Sequence, residues 1–366
     1  MDIFNDSTNV TNETLPYFIE KYKHGAGVMS LIILAYVLVF GLCVAGNIIV
    51  CVVIIKTPRL RTVTNYLILN LAVSDLLVAV FCMPFTLVEH ILTGYQFGDV
   101  MCRVTPMIQG VSVAASVFTM TAIAFDRYKA IVFPMKERMT IRMMAQIVVG
   151  IWVSGVAIMI PQVFVLKVVT YGPPSGDISV SACIEIWPDT TYKQVYTASL
   201  FSLVYVLPLL VISYFYCRVM YKLSATSANQ SGHRPNQYAV SRKRVRVLKM
   251  LITVVVLFAL SWLPLYTCWM LDEFADLSLW QRTIISHYIF PIGHWLAHSN
   301  SCVNPIVYGF FNSNIRKNLE SRDSRRKVGA DTRAKKTSPT TATTKQTNIR
   351  RDVIELRPLN AIWTGG

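Results

Sequence analysis

The stretch LNLAVSDLLVAV, residues 69–80, sets a single carboxylate, Asp75, in a run that is otherwise apolar. An ionised carboxylate at the centre of a bilayer costs roughly 2.5–3.5 kcal/mol even on insertion-based scales, so Asp75 needs a compensating interaction if this run crosses a membrane. Composition points to a membrane, because 53% of the residues are hydrophobic and only 15% are charged, unlike a soluble domain. Outward from Asp75, residues 25–55, 104–125, 143–166, 194–217, 250–271 and 283–315 contain no Lys, Arg, Asp or Glu, and residues 62–88 contain only Asp75. Each run reaches the roughly 20 residues a helix needs to cross about 30 Å of hydrocarbon. The sequence therefore predicts an all-α membrane protein, a bundle of seven transmembrane helices.

Basic residues gather on the cytoplasmic side of spanning segments. With the amino terminus outside, 29 of the 35 Lys and Arg residues fall inside, and only Lys21, Lys23, Arg103, Lys167, Lys193 and Arg282 fall outside. This predicts a multi-pass membrane protein with an extracellular amino terminus and a cytoplasmic carboxyl terminus. The outer face holds twelve of the 20 acids against those six bases, so the +15 net charge belongs to the inner face. Anionic lipids account for a basic inner face, whereas an acidic mouth suits a cationic ligand. Asn5, Asn9 and Asn12 open N-x-S/T sequons in the outer tail and are expected to be glycosylated; the sequon at Asn229 falls inside. The first apolar segment is about twice the length of a secretory core region, so the first helix is expected to insert uncleaved. Of eight cysteines, only Cys102 and Cys183 face the oxidising side, and they are expected to form one disulfide that ties the 167–193 loop over the third helix.

Four segments follow: an outer tail at 1–27, the seven-helix domain at 28–310, an amphipathic eighth helix at 311–320 and a cytoplasmic tail at 321–366. In FNSNIRKNLE, residues 311–320, Phe311, Ile315 and Leu319 recur at helical spacing with Arg316 and Lys317 between them, as in a helix lying on the inner leaflet. The Ser/Thr-rich tail reads as disordered, and its hydroxyls are either phosphate acceptors or inert.

Seven helices leave receptors, pumps and transporters open, so the polar residues within the spans decide. Asn47 in the first run, Asp126-Arg127-Tyr128 at the inner end of the third, Ser261-Trp262-Leu263-Pro264 in the sixth and Asn304-Pro305-Ile306-Val307-Tyr308 in the seventh each have an ordinary structural explanation alone. Together with the run ending at Asp75, Cys102, Trp152 and Pro208, they make the chain from about Val28 to Leu319 resemble the rhodopsin-like G-protein-coupled receptors helix by helix. Two residues depart from that pattern. Ser261 replaces a common cysteine, and Arg244 stands where some members carry an acid that locks the third-helix arginine, which leaves Arg127 restrained mainly by Asp126.

The resemblance implies a role for Asp75. In that family the matching aspartate helps line a small hydrated pocket able to hold a sodium ion, here with Ser116, Asn300, Ser301 and Asn304 below Trp262. A sodium ion would compensate the carboxylate; a protonated Asp75 in neutral hydrogen bonds is the alternative, and both are open at this point. The resemblance further implies that agonist contact near Trp262 moves the sixth helix outward, relayed by Pro208, Val117 and Phe258. Arg127, Tyr216 and Tyr308 would then meet beside an inserted G-protein helix, with Met135 of the second inner loop plugging a pocket on the partner. Heterotrimeric G protein, arrestin and receptor kinases acting on the tail, and membrane lipids are the implied partners. No nucleic-acid partner, cofactor or enzymatic chemistry is expected, since no phosphate loop, metal-ligand cluster or nucleophile beside a base is visible.

Gln109 occupies the position where aminergic members carry an aspartate, and His298 the position of the retinal lysine in opsins. Within the family, FCMPFTLVEHILTGYQF, EIWPDTTYKQVY, LDEFADLS and HWLAHSNSCVNPIVYGFFN are similar to the neuropeptide FF and related RFamide peptide receptors. The implied ligand is an extracellular amidated peptide ending in Arg-Phe. Glu273 is the leading partner for its arginine, with Asp272, Asp276 and Glu185 as rivals. Thr86, Gln109 and His294 are expected to bond the terminal amide, and Tyr266 and Trp269 either wall the pocket or face lipid. A receptor of the same fold for a neuropeptide Y-like or tachykinin-like peptide is the nearest alternative. A seven-helix pump or transporter is the alternative from another class, although no second mid-span acid or pseudo-repeat supports it.

Overall fold

The computed structural model describes residues 21–172, 179–228 and 235–311, with the side chains of 226–244 and 308–311 left aside. The sequons at Asn5, Asn9 and Asn12, the eighth helix, the tail and the side chains of Arg244 and Tyr308 lie outside the described residues.

The first span is α1 (Ala26–Lys56), ended by a short 3-10 turn at Pro58–Leu60. The second begins where the Thr62 hydroxyl accepts from the Asn65 N–H, and it runs as α2 (Val63–Phe81) and α3 (Met83–Ile91). It breaks at Cys82 because Pro84, lacking an N–H, cannot continue the ladder at the start of the next turn. The third span, α4 (Gly98–Val132), packs against α2, α5 (Ile141–Val165) and the fifth span. The fifth comprises α6 (Thr190–Leu200), a π-helical turn at Phe201–Val206 and α7 (Leu207–Ala228). The sixth is α8 (Pro235–Phe274), and the last runs through α9 (Leu279–Ile284), a π turn at Ile285–Ile289 and α10 (Phe290–Phe311).

Among the described residues, six helices are long and apolar enough to cross a membrane by length and composition. The last span is more polar because it carries His294, His298, Asn300, Ser301 and Asn304, which it turns inward against its neighbours. Leu31, Leu34, Leu38 and Leu42 of α1 are exposed at helical spacing, a face suited to hydrocarbon. The bundle is helical as expected, but the outer loop adds a two-stranded antiparallel hairpin, β1 (Leu166–Tyr171) and β2 (Val180–Glu185), with Val168 opposite Cys183. Strand pairing satisfies the loop's backbone where it covers the bundle. Gly94 must be glycine for the first outer loop to reach this hairpin. Its φ is +79°, a Cβ there would come within 3.0 Å of Val180, and the next residue's N–H bonds the Ser181 carbonyl at 2.6 Å.

Side-chain amides fasten the spans. Asn47 donates to the Cys43 carbonyl on its own helix and to the Ser301 carbonyl on α10, both at 3.0 Å. Asn70 accepts from the Trp152 indole at 2.9 Å and donates to the Thr119 hydroxyl at 2.7 Å, joining α2, α4 and α5. Close packing supplements these bonds where α1 crosses α10: a Cβ on Gly46 would lie 2.8 Å from the Cβ of Pro305, whose ring cannot rotate away. Gly46→Ala is therefore expected to destabilise the bundle by about 1–3 kcal/mol. Thermal unfolding of the detergent-purified protein would show this as a lower midpoint, and an unchanged midpoint would show that the α1–α10 crossing is loose.

Candidate functional site

At the outer end the helices enclose a cavity of about 620 Å³. Its depth is aromatic. Trp262 contacts Phe258 at 6.2 Å and Tyr266 at 6.0 Å between ring centroids, and Tyr266 meets Tyr205 of the fifth span at 4.8 Å and the edge of Trp269 at 5.4 Å. Tyr266 is only 5% exposed and both Tyr266 and Trp269 line the cavity, so the lipid-facing alternative does not hold for either.

Thr86, Gln109 and His294 come together on the same lining, from α3, α4 and α10. The Thr86 hydroxyl gives its hydrogen to the Cys82 carbonyl at 3.0 Å, leaving its lone pairs for a donor. His294 Nδ1 lies 2.9 Å from the Phe290 carbonyl, which can only accept; Nδ1 therefore carries a proton, and in the neutral tautomer this leaves Nε2 as an acceptor. Behind His294 stand His90, with ring centroids 5.4 Å apart, and His298 at 6.3 Å, both also close to Tyr36. This buried imidazole group was not anticipated from sequence. His90 and His298 lie on different helices, eight positions past Cys82 and four past His294, and nothing in their spacing announces that they meet.

The acids at the mouth differ in their partners. Glu273 lines the cavity, is 8% exposed at its side chain and pairs with Lys193 Nζ at 2.6 Å. Asp272 also lines it but pairs with Arg282 at 2.9 Å on an open surface. Both oxygens of Glu185 accept from neutral donors, Trp187 Nε1 at 2.8 Å and Gln162 Nε2 at 3.2 Å. Asp276 is exposed and absent from the lining, because the chain has left the helix by that point, so it is not brought to the site as its sequence position suggested. Glu89, not singled out from sequence, does line the cavity. It follows Thr86 by one helical turn, and that spacing was the available signal.

The amino-terminal segment is pinned beside Glu89. Tyr22 bridges to Leu92, Lys23 N–H donates to the Ile91 carbonyl at 3.0 Å, and Lys23 Nζ donates to the Glu89 carbonyl at 2.7 Å. Burial holds the Lys23 ammonium below the usual lysine range, with the Glu89 charge opposing it, and burial with the same charge pushes the Tyr95 phenol up to about 12. The hairpin closes the other side through the Cys102–Cys183 disulfide, formed as expected with the α-carbons 5.7 Å apart.

Below the cavity, Asp75 is 1% exposed and accepts from Asn304 Nδ2 at 2.8 Å, with Ser301 beside it. Ser116 bonds Ser74 at 2.8 Å, a partner the sequence reading omitted. The amide oxygens of Asn300 and Asn304 are buried with no hydrogen-bond partner among the described residues. A carboxylate with hydroxyls and orphaned amide oxygens is a donor set that fits a small hard cation.

At the inner end, Arg127 Nη2 pairs with Asp126 at 2.5 Å and also contacts the Thr64 hydroxyl, which itself donates to Asp126 at 2.9 Å. The restraint expected from Asp126 thus has a second member on α2. These residues line an inner cavity of about 720 Å³ together with Met139, Arg246 and Leu251. Tyr128 packs on Phe215 at 5.1 Å, Tyr216 is buried in the core, and Met135 stands 97% exposed on the second inner loop.

Residues 46–308 match the family model described as 7 transmembrane receptor (rhodopsin family). The chain is 44% identical to Neuropeptide FF receptor 2 of Mus musculus over 311 residues, 83% of this chain and 75% of the relative. It is 40% identical to Neuropeptide FF receptor 1 of Homo sapiens over 323 residues, 86% and 74% respectively. It is 33% identical to the RYamide receptor of Drosophila melanogaster over 288 residues, 78% and 61% respectively.

The disulfide closes a sequence separation of 81 residues, so Cys183→Ser is expected to cost about 2–4 kcal/mol, mainly through the freed unfolded chain. A thermal midpoint equal to that of the parent under oxidising conditions would show that the hairpin's strand pairing and the Asp99 contact to Val168 N–H at 3.3 Å hold it unaided.

Proposed function

The chain belongs to the rhodopsin family of seven-transmembrane receptors, and from that premise we propose that it is a plasma-membrane receptor for an extracellular, amidated RFamide-type neuropeptide. It signals through heterotrimeric G proteins and carries out no covalent chemistry. The observation that carries the ligand class is the cavity lining: Thr86 and His294 Nε2 both accept, while Gln109 can donate to a carbonyl. A terminal carboxamide offers an N–H₂ to the first two and an oxygen to the third. A free carboxylate would face two acceptors with no hydrogen to give. The relatives named for neuropeptide FF support the same ligand class.

The ligand arginine is assigned to Glu273, the least exposed carboxylate of the mouth pairs, and the phenylalanine ring to the wall of Tyr266 and Trp269. Contact there bears on Trp262 through the Trp262–Tyr266–Trp269 ring sequence. Outward movement of the sixth helix would then release Arg127 from Asp126 and Thr64 and open the inner cavity to a G-protein helix, with Tyr216 and Tyr308 rearranging around it and Met135 contacting the partner. Arrestin and receptor kinases acting on the tail, membrane lipids around the spans, and glycosylation of the outer tail belong to the same reading. Sodium held by Asp75, Ser116, Asn300, Ser301 and Asn304 would supply a counter-charge and thereby favour the resting bundle. A neuropeptide Y-like ligand is less favoured, because identity to the human Neuropeptide Y receptor type 2 is 35% against 44% to the mouse Neuropeptide FF receptor 2.

Two measurements test this reading. An amidated Arg-Phe peptide should stimulate nucleotide exchange in cells expressing the chain, and the same peptide as a free acid should lose roughly hundredfold in potency, as expected when buried acceptors are left unpaired. Equal potency of the two forms would remove the carboxamide assignment. Replacing choline by sodium at constant ionic strength should raise the melting midpoint of the purified protein, and Asp75→Asn should abolish that rise. A rise that persists in the variant would place the ion elsewhere.

A further inference from the structure

The acid assigned to the ligand is already occupied. Glu273 sits at the outer end of α8 with its carboxylate 2.6 Å from Lys193 Nζ, and the two side chains are unequally placed, Glu273 at 8% exposure and Lys193 at 35%. Lys193 is the fourth residue of α6, in the first turn, where the helix dipole disfavours a cation. Its long stem lets the ammonium return to water at little cost, whereas the carboxylate has no comparable escape. The neighbouring Gln194 Nε2 donates to the Glu273 carbonyl at 3.4 Å, so the two residues together tie the mouth of the fifth span to that of the sixth.

We infer that Lys193 is a built-in competitor for the cationic side chain of the ligand, occupying Glu273 in the empty receptor and yielding it to an arginine. The inference rests on the assignment of the ligand arginine to Glu273. A guanidinium can displace the ammonium because it meets a carboxylate through two parallel hydrogen bonds, while an ammonium meets it as a point charge. The exchange conserves the ion pair: the carboxylate gains an arginine and the lysine regains water. Affinity for the peptide therefore reflects the difference between two pairs and not the full strength of one. It also makes the mouth selective, since a ligand with lysine in place of arginine would gain no bidentate geometry to offset the pair it breaks. Binding replaces a direct tie between α6 and α8 with one that passes through the peptide.

The test uses the full-length receptor in membranes, an amidated Arg-Phe peptide and the same peptide with neutral citrulline for arginine. Lys193→Met should raise affinity for the arginine peptide roughly threefold to tenfold, the range of a partly screened ion pair, and leave the citrulline peptide unchanged. Lys193→Arg keeps the charge but gives the receptor its own bidentate partner, and should lower affinity for the arginine peptide. Both effects should vanish in a Glu273→Gln background. An equal shift for both peptides, or no shift in either variant, overturns the inference, and because Lys193→Arg retains the ion pair it keeps the test valid if Lys193→Met expresses poorly. An arginine preference that ignores both Lys193 and Glu273 removes the assignment of Glu273 and the inference together. A preference that depends on Glu273 but not on Lys193 removes the inference alone.

Discussion

Hydrocarbon offers no hydrogen bonds, and the arrangement of this bundle follows from where its polar groups find them. The backbone is satisfied by helices. The side chains are satisfied across helices: Asn47 reaches the Ser301 carbonyl, Asn70 joins Trp152 to Thr119, and Asn304 bonds Asp75. All four of these meetings involve α2 or α10. The last span, the most polar, accordingly packs with its polar residues inward against α8 and α1. Each such bond also fixes the rotation of a helix about its axis, because an amide aimed at lipid would be left unpaired.

The same economy shapes the two cavities. In the outer one, hydrogen bonds to the protein's own carbonyls decide what the lining can offer: Cys82 takes the Thr86 hydrogen and Phe290 takes the His294 proton. What remains is a pair of acceptors. At the mouth two of the acids already hold a cation, Glu273 with Lys193 and Asp272 with Arg282, while Glu185 is held by the neutral donors Trp187 and Gln162. The inner cavity has the corresponding arrangement, with Arg127 held by its neighbour Asp126 and by Thr64 from another helix. Between the ends runs an aromatic sequence on α8, Phe258, Trp262, Tyr266 and Trp269, with Tyr205 donating to the Ala259 carbonyl at 2.8 Å. Displacing a ring in such a close-packed series repositions its neighbours, which gives the outer cavity physical access to the inner one.

The sequence by itself determined the number of spans and the disulfide, and charge bias is what assigns their orientation. Those follow from one-dimensional quantities: the length of uncharged runs, the side on which Lys and Arg accumulate, and the count of cysteines exposed to oxidation. The grouping of Asp75 with Asn300, Ser301 and Asn304, and of Thr86 with Gln109 and His294, was legible only through the resemblance to the receptor family, whose motifs these positions match. The tertiary structure alone decided which acids reach the cavity and what already holds them. Asp276 and Glu273 are three residues apart, yet only Glu273 lines it, because the helix ends between them. Glu89 reaches the cavity because Pro84 ends one helix and starts another. Lys193, Thr64 and Ser74 acquire their partners from other helices, at contacts that depend on how each helix is rotated. Hydropathy and charge fix how deep a residue lies in the membrane, but its azimuth is set by packing against neighbours, and a pairwise contact exists only once both angles are known.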